Sequence, residues 1–230
     1  MKENLPVWRS LMYVPVNVEK YVEKAHTRGA DCLQLDLEDS VPSSEKAAAR
    51  KLVASAANRV RRGGGDVVVR INSPRELAEP DLDFSIDENV DGIAVTKAQS
   101  PEHVRRIDDY ISNLEAKRGL RNGHTRLIAM VETPGAFFQM PAIAQSSPRL
   151  AAMNIGGEDF ALECGFEPSE ETLLMPKQTM IFAARSAGIM PFGFIDSVAS
   201  FRDSDAFAAG SARSVVCLIG SGTLRRAGRP

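Results

Sequence analysis

The chain has 230 residues, of which 43% are hydrophobic and 25% charged, with a formal net charge of -2. That is enough for one sizeable core, too little for two ordinary α/β domains side by side, and far from the disordered and fibrous classes. The near-neutral balance offers no basic stripe for nucleic acid, no apolar run is long enough to span a bilayer, and Cys32, Cys164 and Cys217 show no C-x-x-C pairing that would mark a zinc site or a disulfide framework. The segment Met1–Pro6 has no apolar signal core, so the expected setting is the cytoplasm.

Short apolar runs alternate with longer stretches of helical spacing, the pattern of repeated βα units. Eight strands are predicted: Trp8–Val14, Asp31–Leu37, Asp66–Ile71, Val90–Val95, Arg126–Val131, Leu150–Ile155, Met190–Ile195 and Ser214–Ile219. The clearest helix is Ser43–Arg62, with Ser43 as its cap and Gly63-Gly64-Gly65 as its stop. A second spans Pro101–Arg118, with Ser100 as cap, Pro101 in the first turn and Gly119 at the end. Parallel strands joined by such helices close into a TIM-type (β/α)8 barrel, though an open doubly wound sheet obeys the same local rules. No Gly-x-Gly-x-x-Gly follows the first strand, which argues against a dinucleotide-binding version. The expected organisation is one barrel domain over residues 1–230. Its last βα unit looks incomplete, and the tail from about 208 to 230 is divergent.

Charged residues collect at the carboxyl ends of the predicted strands, where such a barrel builds its active site. Asp36, Glu38 and Asp39 follow the second strand, Arg70 and Asn72 the third, Lys97 the fourth, Glu132 the fifth, Glu158 and Asp159 the sixth and Asp196 the seventh. Carboxylates converging on one face repel unless a cation offsets them. With oxygen donors only, the fitting ion is a hard one, Mg²⁺ or Mn²⁺, held by two carboxylates and completed by water and substrate. His26 and His103 fall within helices and His124 in a loop, so none is placed as a general base. The cysteines read as packing residues. Lys97 is either a site cation or a solvated strand end, with the second favoured.

The run Met12-Tyr13-Val14-Pro15, then Gly29-Ala30-Asp31 leading to Leu35-Asp36-Leu37-Glu38-Asp39-Ser40-Val41, resembles the citrate lyase β-subunit branch of the HpcH/HpaI aldolase family. Val69-Arg70-Ile71-Asn72, Val131-Glu132-Thr133-Pro134-Gly135-Ala136 and Gly156-Gly157-Glu158-Asp159-Phe160 follow in order, and the likeness runs from about Arg9 to about Phe207. It implies a magnesium-dependent carbon-carbon lyase acting on a citryl-, malyl- or citramalyl-CoA type thioester, giving an acyl-CoA and a small oxoacid. Either CoA or an acyl-carrier group would bear the thioester, in a homo-oligomer of three or six subunits. By residue match, Arg70 contacts substrate while Glu132 and Asp159 hold Mg²⁺. The amides of Gly135 and Ala136 would offer a carboxylate site. Asp36 and Glu38 are candidates for proton transfer, and Glu38 could equally be an ion-pair partner of Arg70.

Three departures from the family pattern stand out. Val16 occupies a position where glycine is usual, in the loop that approaches the thioester. Leu162-Glu163-Cys164-Gly165 stands where the family commonly shows Leu-Asp-Leu-Gly, a conservative change. After Phe207 no Cys-Ile-His-Pro-like element appears, which suggests a frameshifted or truncated terminus and makes malate synthase or thioesterase activity unexpected. Two other readings stay open: a non-catalytic barrel that binds metal and oxoacid, and a class II aldolase acting on free hydroxy-oxoacids.

Overall fold

The computed structural model describes residues 5–193 together with residues 205, 208 and 209. The chain forms two compact units: Pro6–Thr96 with His103–Ile128, and Leu5 and Lys97–Glu102 with the described residues from Ala129 onward.

In the first unit β1 (Leu11–Pro15), β2 (Cys32–Asp36), β3 (Asp66–Ile71) and β4 (Gly92–Val95) pair in parallel and in chain order. The first half of β5 (Arg126–Val131) comes next. The accompanying helices are α1 (Glu19–Ala25), α2 (Lys46–Arg50), α3 (Val53–Val60), α4 (Arg75–Ser85) and most of α5 (Pro101–Arg118). Parallel strands covered on both faces read as unbroken apolar runs. Accordingly every residue of β2 is buried, and Val67, Val68 and Val69 of β3 have no solvent exposure.

The second unit contains the second half of β5, β6 (Leu150–Ile155) and β7 (Met190–Pro191), with β7 parallel to β6. Its helices are α6 (Pro134–Phe137), α7 (Met140–Ala144), α8 (Gly157–Cys164) and α9 (Glu170–Ser186). Helix α9 opens on a capping box, in which Ser169 Oγ accepts from Thr172 N–H and Thr172 Oγ1 accepts from Ser169 N–H. Helix α8 ends at Gly165, whose φ of +77° lies in the left-handed region that glycine adopts without strain. Strand order follows chain order from β1 to β7, so the chain has an α/β fold of TIM-barrel type. The end of the seventh predicted strand with Asp196, the eighth predicted strand Ser214–Ile219 and Cys217 lie outside the described residues.

Strands β3, β5 and β6 and helix α5 coincide with their predicted bounds. Elsewhere the elements are shorter than their predicted bounds. β1 begins at Leu11, not Trp8, because the amides of Arg9 and Ser10 donate to the Asp31 carboxylate at 2.9 and 3.2 Å instead of entering the ladder. β4 begins at Gly92, since Val90 N–H closes a turn on Asp87 C=O. The long helix predicted from Ser43 starts at Lys46 and breaks at Lys51–Leu52. There the amides bond three residues back, to Ala48 and Ala49, before the α pattern resumes.

A buried polar knot joins these helices to β3. Asp81, fully buried in α4, pairs with Arg50 at 2.6 Å and accepts from Asn72 N–H at 2.8 Å and Asn72 Nδ2 at 2.7 Å. Removing one partner of such a cluster strands the others without water. Asp81→Ala is expected to destabilise the chain by about 3–5 kcal/mol in urea unfolding, whereas a loss within experimental error would mean that water replaces the carboxylate.

Candidate functional site

The candidate residues fall into two groups, one in each unit. In the first unit the parallel register sets Asp36 at the end of β2 directly beside Arg70 on β3. Arg70 grips Asp36 in a bidentate pair, Nε to Oδ1 at 2.7 Å and Nη2 to Oδ2 at 2.6 Å. The same Asp36 oxygens accept the amides of Glu38 and Ser40 at 2.9 and 3.1 Å, which folds the loop after β2 around the carboxylate. Arg70 Nη1 lies 3.2 Å from Asp39 Oδ2 and 2.8 Å from Glu38 Oε2. The Glu38 contact is an ion pair without hydrogen-bond alignment. The guanidinium also sits 5.3 Å from the Tyr13 ring centroid. Lys46 Nζ fastens the loop by donating to the carbonyls of Leu37 and Glu38 at 3.0 and 2.9 Å.

One cation against three acids gives these groups different protonation behaviour. Burial alone would raise the Asp36 pKa, but the Arg70 hydrogen bonds and charge outweigh it, and the carboxyl is held below its ordinary value. Burial dominates for Glu38: with Asp39 and Asp36 nearby and Arg70 opposing, its pKa rises to about 7. Burial opposes charge on Arg70, yet the surrounding carboxylates keep its pKa above the ordinary value. Arg70 is thus a permanent cation, Asp36 its fixed counter-ion, and Glu38 a group that exchanges a proton near neutrality.

In the second unit Glu132 follows β5 directly and is 1% exposed. Its Oε2 accepts the Lys97 backbone N–H at 2.8 Å. Asp159 lies in the first turn of α8, which follows the end of β6 after the single residue Gly156. Helix α6 starts from Thr133, whose hydroxyl accepts the Ala136 amide at 3.3 Å, so a carboxylate bound there would share this donor; Gly135 is in the same turn.

The donor chemistry suits a hard divalent ion. Glu132 and Asp159 offer only oxygen, and among the described residues no group of three or more His, Cys, Asp and Glu side chains is arranged around one point. Magnesium typically takes one or two carboxylates and fills its octahedron from water and substrate, whereas a structural zinc site would need a four-ligand cage.

The other candidates resolve as packing or surface groups. His103 is buried in α5, and burial with the nearby Arg106 lowers its pKa. His124 Nε2 lies 3.3 Å from Asp87 C=O. Burial raises the pKa of Cys32 and Cys164, which suits packing rather than nucleophilic roles. Lys97 had read as a solvated strand end, but it is half-buried and its φ is +46°. Among the described residues it is the only non-glycine at positive φ. The contact of the Lys97 amide with Glu132 and the place of Gly156 ahead of α8 were not foreseen from the sequence. Side chains are not the operative part, although the Gly156-Gly157 pair beside an acid was a usable signal.

Because Glu38 ionises less readily in the folded chain than in the unfolded one, its stabilising contribution is complete below about 4.5 and is lost as pH rises toward 7. Glu38→Gln should flatten the pH dependence of unfolding free energy across that window. An unchanged slope would assign the titration to another group.

The model of the HpcH/HpaI aldolase/citrate lyase family matches residues 9–221, past the Phe207 at which the motif likeness ended. The chain is similar to the citrate lyase subunit beta of Leuconostoc mesenteroides subsp. cremoris, 30% identical over 187 residues that cover 80% of this chain and 62% of the relative. It is also similar to the mitochondrial citramalyl-CoA lyase of Homo sapiens, 30% identical over 208 residues covering 85% of this chain and 60% of that protein. The chain therefore spans less than two thirds of the length of either relative. The magnesium/glyoxylate complex of Haloferax volcanii malate synthase superposes with a TM-score of 0.77 at 16% identity, covering 94% of this chain and 72% of that one, a likeness of fold. No helix among the described residues is long and apolar enough to cross a membrane.

Proposed function

The chain belongs to the HpcH/HpaI aldolase/citrate lyase family, and from that membership we propose that it is a magnesium-dependent carbon-carbon lyase acting on a β-hydroxyacyl thioester of the citryl-, malyl- or citramalyl-CoA type. Glu132 and Asp159 would hold the ion. Arg70 would bind substrate, and Glu38 would carry the proton. The observation that carries this reading is the deeply buried Glu132 carboxylate, oriented by a backbone amide, with Asp159 following in the first turn of α8.

Cleavage removes the proton from the β-hydroxyl and turns that carbon into the carbonyl of the departing oxoacid. The Cα–Cβ pair retreats into a thioester enolate, which is then protonated to the acyl-CoA. When bound, magnesium supplies Lewis-acid charge to the oxygens of the oxoacid. Arg70, fixed by Asp36 and always charged, retains one Nη2 hydrogen that its contacts to Asp36, Glu38 and Asp39 do not use, and this donor can meet developing oxyanion charge. Glu38 is the proton-transfer candidate, because its pKa of about 7 lets it accept and return a proton at neutral pH. Asp36 spends its oxygens on Arg70, Glu38 and Ser40, and so supports the reaction by position. The reading extends to a cytoplasmic homo-oligomer whose thioester is borne by CoA or an acyl-carrier group.

Purified protein incubated with citryl-, malyl- and citramalyl-CoA should release an oxoacid and an acyl-CoA from one of them only when Mg²⁺ is present. Arg70→Lys keeps the charge but loses the planar fork, and should lower kcat by on the order of a hundredfold. Magnesium binding without cleavage of any thioester would favour the non-catalytic binding barrel. Release of pyruvate or an aldehyde from free hydroxy-oxoacids would favour the class II aldolase.

A further inference from the structure

Two backbone features of the second unit meet at the Glu132 carboxylate. On one side Ala98 N–H bonds Met130 C=O at 2.8 Å, which ties the segment after β4 to the end of β5. With that segment fixed, Lys97 takes its left-handed conformation, φ +46°, and points its amide at Glu132 Oε2, 2.8 Å away. A positive φ is unfavourable for a side-chain-bearing residue and persists only where surrounding contacts enforce it. On the other side Gly156 N–H bonds Val131 C=O at 3.1 Å, placing Gly156 against the carboxylate. A Cβ at Gly156 would lie 2.6 Å from Glu132 Oε1 and 2.7 Å from its Cγ, so the Glu132 side chain would have to move aside. Gly156 φ is -73°, so a side chain there meets no backbone obstacle and would act by displacing the Glu132 side chain.

We propose that Lys97, through its amide, and Gly156, through its missing side chain, are positioning residues that form a backbone clamp fixing the Glu132 carboxylate for a small divalent cation. The inference rests on the reading of Glu132 as a metal ligand and adds how that ligand is aimed. The clamp holds the carboxylate plane from two directions, with one oxygen on an amide and the other against a bare Cα. Its consequence is selectivity. Mg²⁺ demands near-ideal octahedral geometry at short metal–oxygen distances, whereas Ca²⁺ accepts longer and more variable ones. A carboxylate pushed aside by a few tenths of an ångström therefore loses Mg²⁺ before it loses Ca²⁺.

The test is calorimetric titration of the full chain with Mg²⁺ alone and with Ca²⁺ alone, for wild type, Glu132→Gln and Gly156→Ala. Supporting partners of metal ligands typically contribute about 10- to 100-fold in affinity. Gly156→Ala is accordingly expected to weaken Mg²⁺ binding at least about tenfold and Ca²⁺ binding by much less, while metal-free thermal unfolding stays near the wild-type temperature. Should Gly156→Ala not fold, the Lys97 amide resonance of ¹⁵N-labelled wild type gives an independent reading. It should move on addition of Mg²⁺ and differ in Glu132→Gln, and a resonance indifferent to both overturns the clamp. Equal Mg²⁺ affinity in wild type and Gly156→Ala, with Glu132→Gln impaired, overturns the clamp and leaves the metal reading standing. Wild type that binds no Mg²⁺ overturns both.

Discussion

A carboxylate at 1% exposure has almost no water to solvate it, so the protein must supply what water would. Glu132 is that group. It sits one residue past β5, where the strand ends and the chain turns into the first turn of α6. Its orientation depends on the Lys97 amide, which in turn depends on the bond that ties Ala98 to β5. The two units answer the same electrostatic problem differently. In the second, a backbone amide donates to one acid. In the first, a single guanidinium receives three, leaving Asp36 ionised and Glu38 poised near neutrality.

This division of labour suits the roles proposed for the two groups. A metal ligand must be rigid, and backbone amides anchored to strands move less than side chains on long stems. A proton carrier must be able to lose and regain its charge, which calls for competition between burial and a nearby cation. Arg70 is held so firmly by Asp36 that it acts as fixed positive charge in β3. The Asp81 knot with Arg50 and Asn72 secures the loop after β3 by the residue that follows Arg70 and Ile71. Packing and chemistry meet there, since the polar contacts that stabilise the helices also set the strand end carrying the guanidinium.

Much of this was legible in the residues. β3, β5 and β6 are apolar runs with sharp polar ends, and parallel strands of that kind announce their own limits. Helix α5 carries Pro at its start and Gly at its stop, which bounds it unambiguously. β1 and the helix from Ser43 depart from their expected bounds for different reasons: the distant Asp31 carboxylate takes the amides of Arg9 and Ser10, whereas at Lys51–Leu52 the backbone itself tightens to bonds three residues back. The acids of the site could be found from position, but the pairing of Arg70 with Asp36 needed the register of β2 against β3. The Lys97 contact was illegible because it is made by a backbone amide, which no residue type announces, whereas Gly156 showed in the sequence only as half of a glycine pair beside an acid.

The most direct measurement is anomalous scattering from crystals soaked in Mn²⁺, a stand-in for Mg²⁺ with the same preference for oxygen donors. One strong peak is expected within coordination distance of both the Glu132 and Asp159 carboxylates. A peak elsewhere on the chain, with both carboxylates away from the ion, would contradict that placement.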